Sequence, residues 1–443
     1  MLTTRKSFFA VLIALFVLAG FGIASAASIG GLRDNTGILP LSLDNYVNPG
    51  GVGDTLIYNY YNARQGNTTF FTVTNTDSAN GIRARVRLRE AADVAENGVC
   101  NPEEPRGSFE VLDFDICLSK NDMWTGFVAI NPSDPNGGAM LCSMDTDTLI
   151  WDGASSGIFP SNCVPLKYGA ANIVTGITAE NTQEGYIEII GERTMEADGG
   201  KSISDDNGCN PVNDTNIGAP TNSLFGNAAI LGVGPFATSF TYDATAIANF
   251  AGGDIADSPT TSLPTLASGQ DLLAGVNFIL TKRMLFSVYD LVGSQTEFIV
   301  TFPTKALTQA CGADNDIFDD DRATIQMWND QEKPTTGTGC AFSPCPGATE
   351  DSLPFEVVAI LPKSGNSIMD SEVEVLPLVP TPYDFGWFSV DLDKALTALV
   401  PDHVTIVDNV STFGWPSLGL TLLDVDNGAS SGTFSMQFTT DVR

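Results

Sequence analysis

Between residues 82 and 118 the chain alternates strictly between apolar and polar residues, and that period decides what it can fold into. In Ile82-Arg83-Ala84-Arg85-Val86-Arg87-Leu88-Arg89 every second residue is apolar and each of the others is arginine. In Leu112-Asp113-Phe114-Asp115-Ile116-Cys117-Leu118 the same period returns with aspartates. A two-residue repeat puts one set of side chains on each face of an extended strand, whereas a helix would scatter them around its surface. The two runs therefore read as neighbouring antiparallel strands. Ile82, Ala84, Val86 and Leu88 join Leu112, Phe114, Ile116 and Leu118 in a core, and the arginines meet the aspartates on an outward face. On this reading Arg85→Ala or Arg87→Ala is a surface change costing about 0 to 1 kcal/mol, while Val86→Asp buries an unpaired charge and costs far more.

Strand signals recur along the rest of the chain, separated by Gly, Asn, Asp and Pro. Segments 55–61 and 69–74 read as a hairpin around Arg64-Gln65-Gly66-Asn67; further strands are expected at 124–130, 186–190, 229–233, 298–302, 355–361, 388–392, 418–425 and 433–439. Two stretches have helical spacing. One is 268–283, with a cap-like Ser268, Asp271 three residues on, and Leu272, Leu273, Val276, Ile279 and Leu280 on one face; the other is the shorter 243–250. The expected class is mainly β: antiparallel β-sandwich-like domains with one or two short helices. A chain of 443 residues is more than one core usually fills. The expected division is an N-terminal β domain at 27–195, a loop or linker rich in Gly, Asp, Asn and Pro at 196–222, and a C-terminal β domain at 223–443.

The first 26 residues read as a secretory leader. Arg5 and Lys6 precede an apolar stretch from Phe8 to Ala19, and Ala24-Ser25-Ala26 offers the small residues a signal peptidase needs, so a mature chain begins near Ala27 and carries no integral membrane segment. Eight cysteines, Cys100, Cys117, Cys142, Cys163, Cys209, Cys311, Cys340 and Cys345, all follow the leader, and an even count in an oxidising compartment reads as disulfides. Cys142 with Cys163 is the best local pair, and Cys311 with Cys340 or Cys345 the next. No Cys-x-x-Cys occurs, which removes zinc-ribbon and thioredoxin-type chemistry.

Removing the leader takes the formal charge from −32 to −34. Such a field repels phosphate backbones, so nucleic acid is excluded as a partner. His403 is the only histidine, and no nucleophile elbow, phosphate loop or dinucleotide fingerprint is present. Paired carboxylates, as in glycosidases, need no histidine and remain available. One cluster has the hard oxygens that calcium prefers: Asp314, Asn315, Asp316, Asp319, Asp320 and Asp321, although its spacing is not that of an EF-hand loop. Calcium is the one cofactor admitted. Aromatic side chains could stack on sugar rings; of Trp124, Trp151, Trp328, Trp387 and Trp415, the turn-like polar surroundings of Trp151 and Trp328 make those two the candidates.

The run Ser108-Phe109-Glu110-Val111-Leu112-Asp113-Phe114-Asp115-Ile116-Cys117-Leu118-Ser119, continuing through Asp122-Met123-Trp124-Thr125-Gly126, resembles a pattern in uncharacterised exported β-rich proteins of proteobacteria, and Thr301-Phe302-Pro303-Thr304-Lys305 is similar to a second block of that group. The resemblance implies export from a Gram-negative cell to the periplasm, the cell surface or the medium, and carries no activity. The expected function is a non-catalytic surface or extracellular structural or adhesive protein, stabilised by disulfides and acting on a cell-surface polymer or on itself. The alternative is a carbohydrate-binding protein or a histidine-free glycoside hydrolase.

Overall fold

The computed structural model describes residues 46–91, 108, 110–151, 156–159, 162–168, 177–195, 221–232, 239–249, 283–289, 294–303, 322–329, 347–352, 356–362, 366–373, 376–377, 385–391, 405–407, 410–412, 417–426 and 431–438. Most of them lie in four packed sheets, and Thr405–Val407 pairs with Val410–Thr412 in a separate two-stranded one. Sheet I runs Cys163–Pro165, Ala139–Ser143, Met123–Ile130, Thr68–Asn75, Leu224–Phe225, Val52–Gly53, with Asn227–Leu231 also paired to Thr68–Asn75 and Ser239–Asp243 beyond it. Sheet II runs Tyr46–Val47, Thr245–Ala248, Thr55–Asn62, Glu184–Met195, Gly81–Glu90, Glu110–Leu118, Leu149–Trp151, Ser156–Ile158. Sheet III runs Leu376–Pro377, Val357–Leu361, Ser294–Thr301, Leu418–Asp426, Ser431–Phe438, and sheet IV runs Arg283–Tyr289, Phe385–Asp391, Arg322–Asn329, Gly347–Ser352. Of the pairings in these sheets, that of Val357–Leu361 with Leu376–Pro377 is parallel.

Strand alternation explains the layering. The apolar set of Gly81–Glu90 (Val86, Leu88) and of Glu110–Leu118 (Phe114, Ile116) faces Phe71, Val73 and Trp124 of sheet I in one buried core. The Trp124 ring lies 5.6 Å from Phe71 and 5.8 Å from Phe114. On the far side of sheet II, Ile299, Val357, Leu418 and Leu420 of sheet III join the same core, and Thr301 Oγ1 donates to the Asn59 carbonyl at 2.5 Å. The alternate residues of sheet III turn the other way: Phe298 packs on Phe286 and Phe388 of sheet IV at 4.3 and 4.6 Å. The central strands of these two sheets, Thr55–Asn62, Gly81–Glu90, most of Glu184–Met195 and Thr296–Thr301, are thus buried on both faces.

That arrangement corrects several readings. The arginine strand pairs with the aspartate strand in the expected sense, Arg85 opposite Asp115, Val86 opposite Phe114, Arg87 opposite Asp113. Its charged face is not outward, however: all ten residues of Gly81–Glu90 are buried, with Arg83, Arg85 and Arg87 at 2%, 0% and 2% exposure. Segments 55–61 and 69–74 are strands but not a hairpin. The turn at Arg64–Gly66, with Gln65 and Gly66 at φ 53° and 86°, carries the chain from sheet II to sheet I. Part of the expected helix at 243–250 is the strand Thr245–Ala248, whose four residues are buried between Thr55–Asn62 and Tyr46–Val47. Segment 268–282 lies outside the described residues, and Arg283 opens a strand. The described strands that follow 196–222, Leu224–Phe225, Asn227–Leu231, Ser239–Asp243 and Thr245–Ala248, pair in sheets I and II, and those of sheets III and IV begin at Arg283.

The segment 366–373 ties sheet III to sheet II. Glu297 accepts from Ser367 Oγ at 2.7 Å and from the Ile368 N–H. Glu184 accepts from Ser371 Oγ and the Glu372 N–H at 2.8 and 2.9 Å, and also from Tyr60 at 2.8 Å. Arg64 Nε donates to the Asp370 carbonyl at 2.7 Å. Burial pushes the Glu297 carboxyl up to about 7, against the pull of the Ser367 and Ile368 donors. A carboxyl raised in the folded state favours its protonated form there. Its stabilising contribution is complete below the ordinary carboxylate range and is lost as pH rises through about 7. The shift corresponds to roughly 3 kcal/mol. Glu297→Gln, which mimics the neutral acid, is expected to flatten the decline of melting temperature between pH 5 and pH 8. An unchanged decline would remove Glu297 as its source.

Candidate binding face

The strand Phe385-Gly386-Trp387-Phe388-Ser389-Val390-Asp391 alternates like the arginine strand, but in an outer layer. Phe388 and Val390 are buried against sheet III, so Trp387 is turned to the outside, where it is 40% exposed. The neighbouring strand Arg322–Asn329 places Trp328 directly opposite it. The two indoles stack with centroids 3.8 Å apart and planes 11° from parallel. On the other side of Trp387 the register sets Ser287, and half-buried Phe385 and Leu285 flank it on the same face. Two residues along, Ser389 Oγ is buried without a hydrogen-bond partner among the described residues. In the backbone register Gln326 and Thr324 stand opposite Ser389 and Asp391, and Ser389, on the same side of its strand as Trp387, is 1% exposed. The arrangement is a stacked aromatic pair whose exposed member, Trp387, has half-buried Ser287 beside it. Each indole covers one face of the other, leaving an outer π-face for a planar or puckered apolar ring surface.

Of the sequence candidates, Trp328 is therefore on the exposed side of sheet IV, but on a strand and not in a turn. Its partner Trp387 was in the wider set of five, though no sequence signal linked the two. Trp151 closes the strand Leu149–Trp151, backbone-paired with Asp115 and Ser156, and is likewise not in a turn. Trp124 is core, with no exposure. Cys142 and Cys163 form a disulfide across paired strands, as expected. Cys117 is also disulfide-bonded, and no described cysteine is free. Cys100, Cys209, Cys311, Cys340, Cys345, His403, Trp415 and the cluster Asp314, Asn315, Asp316, Asp319, Asp320 and Asp321 lie outside the described residues. Among the described residues no group of three or more acidic, histidine or cysteine side chains is arranged to hold a metal ion.

The densest titratable cluster is the charged face of sheet II. Arg83 Nε meets Glu192 at 2.7 Å, Arg85 meets Asp115 at 3.2 Å and also Asp113, Arg87 meets Glu110 at 2.6 Å and Glu188 at 3.2 Å, and Arg89 meets Glu188 at 3.6 Å. Burial pushes Asp113 up to about 6, with the neighbouring Glu110 adding to it, and raises Asp115, Glu188 and Glu192 as well. Burial raises Glu110 too, but Arg87 and Arg89 outweigh it and hold that carboxyl below the usual range. These carboxylates are held by guanidinium groups within the layers, so the cluster works as an ionic ladder between strands. It does not offer the solvent-facing acid and base of a glycosidase. Among the described residues no helix is long and apolar enough to cross a membrane. No family model, no curated protein and no solved structure matches the chain.

Proposed function

We propose that this chain is an exported, non-catalytic adhesive or structural protein of the cell surface or extracellular space, which holds a carbohydrate polymer against the outer face of sheet IV. The observation that carries this reading is the stacked Trp328–Trp387 pair with Trp387 exposed. Tryptophans are costly to leave in water, and a rigid pair beside polar register positions suits the apolar face and hydroxyl rim of a pyranose. The Cys142–Cys163 disulfide and the leader-like start support an oxidising destination. The carboxylates of the ionic ladder, paired with arginines on neighbouring strands of sheet II, support a binding role over a hydrolytic one.

The test is retention of the mature chain on insoluble cellulose, chitin and peptidoglycan. At least one of the three is expected to retain it, and Trp387→Ala to weaken retention tenfold or more, as truncation of an anchoring tryptophan does. The melting temperature should stay within a few degrees, because Trp387 is at the surface. Failure of all three polymers to retain the wild-type chain, or retention indifferent to Trp387→Ala, would overturn the proposal.

A further inference from the structure

Sheet I packs on the other face of sheet II, its strand Ser239–Asp243 meeting Ser431–Phe438 of sheet III, where Ser435 Oγ donates to the Thr241 carbonyl at 2.6 Å. Its outer face is almost without charge in a chain with 53 acidic and 21 basic residues. One row of paired positions crosses the whole sheet: Cys163, Cys142, Phe127, Phe70, Ala229 and Thr241. Large apolar side chains stand in solvent along it. Phe70 is 36% exposed, Leu231 40%, Met123 53% and Met144, just past Ala139–Ser143, 73%. Phe127 packs on Phe70 with centroids 5.2 Å apart. Threonines fill the intervening outward positions, and Asp243, on the edge strand, is the one charged residue among the outward positions of these strands. A solvated sheet face ordinarily carries charge at about a quarter to a third of its positions, and exposed apolar patches of this extent mark contact sites.

We infer that this face docks on the same face of a second copy of the chain. The charge distribution selects that partner. A basic partner would be met by carboxylates, of which the rest of the molecule has many; a face stripped of them is the place where an equally acidic body can approach without repulsion. A two-fold arrangement of identical faces is the self-complementary solution. The six strands, about 4.8 Å apart and three to eight residues long, cover an area of roughly 500 Å², below the roughly 800 Å² per partner of a standard interface and fitting a weak, concentration-dependent one. The short threonine and alanine side chains let two sheets approach at about the 10 Å spacing of a β-sandwich. The inference is independent of the Trp328–Trp387 reading, since the two faces are in different sheets.

Sedimentation velocity on the mature chain from 1 to 200 μM, in 50 and 500 mM NaCl, tests it. A dimer is expected at the upper concentrations, and more of it at the higher salt, because screening removes the repulsion of two acidic bodies while leaving apolar contact intact. Phe70→Glu with Leu231→Glu is expected to be monomeric throughout. If that variant does not fold, Met123→Glu with Met144→Glu, at the two most exposed positions, serves in its place and is expected to shift dissociation at least tenfold. A wild-type chain monomeric at 200 μM in both salts overturns the inference, as does a dimer that a folded glutamate variant leaves unchanged.

Discussion

Arg85→Ala is expected to destabilise the protein by roughly 3–5 kcal/mol near neutral pH, the cost of removing one member of a buried ion pair. Arg85 is fully buried and bridges Asp113 and Asp115, whose side chains are 12% and 1% exposed. Without the guanidinium, two carboxyls that burial already pushes up lose a compensating charge, with only Arg83, 3.9 Å from Asp115, and Lys167, 4.0 Å from Asp113, left nearby. They relieve the loss by taking up protons. Loss of Arg85 raises these carboxyls further, so the deficit should shrink as pH falls toward about 6, the value Asp113 has with Arg85 in place, and level off below it. Replacing the whole unit with Arg85→Met, Asp113→Leu and Asp115→Leu should cost less than Arg85→Ala alone, because packed apolar residues need no compensation. Chemical denaturation of the variants at pH 5 and pH 7.5 checks both expectations. A loss below about 1 kcal/mol is what a solvent-exposed arginine would give.

Trp124→Ala is expected to cost about 3–5 kcal/mol, the range for emptying a large aromatic site in a core. Trp124 has no exposure and contacts the rings of Phe71, Phe114 and Phe159. Gly126, two residues on, makes room for the indole: a Cβ there would lie 2.7 Å from Trp124 Cη2 and 2.9 Å from the Phe71 ring. Gly126→Ala should thus destabilise by overpacking, about 1–3 kcal/mol. Urea melts of both variants separate this from an exposed tryptophan, whose loss would be small. Trp387→Ala provides that comparison in the same protein.

The contrast between these two tryptophans shows how far the sequence reaches. Alternation in Ile82–Arg89 and Leu112–Leu118 was enough for the strand pair, its antiparallel sense and its core-facing residues. Alternation says which residues share a face and not what lies over that face. Sheet III, which packs over Thr55–Asn62 in the same sheet as the arginine strand, comes from residues more than 200 positions later, and no local pattern announces it. Polar residues on a strand therefore read as solvent-facing when they were one half of a buried ionic ladder between neighbouring strands. The turn at Arg64–Gly66 misled for a related reason: a short Gly-containing loop between two strands looks the same whether the strands pair or cross between sheets. The Cys142–Cys163 bridge was legible because the partners are local and sit opposite each other on neighbouring strands. The Trp328–Trp387 pair was not. Arg322-Ala323-Thr324-Ile325-Gln326-Met327-Trp328-Asn329 lacks a clean period, and the pairing depends on register between residues 59 positions apart.

Whether the charged residues are interior and the aromatic ones face outward can be read directly by labelling the native chain with phenylglyoxal and locating modified arginines by mass spectrometry. Arg83, Arg85 and Arg87 are expected to remain unmodified until the protein is unfolded in denaturant and then to react fully, since native reagent has no access to side chains at 2%, 0% and 2% exposure. Modification of these three under native conditions, at the rate found in denaturant, would contradict the four-layer stack and return the arginine face to solvent.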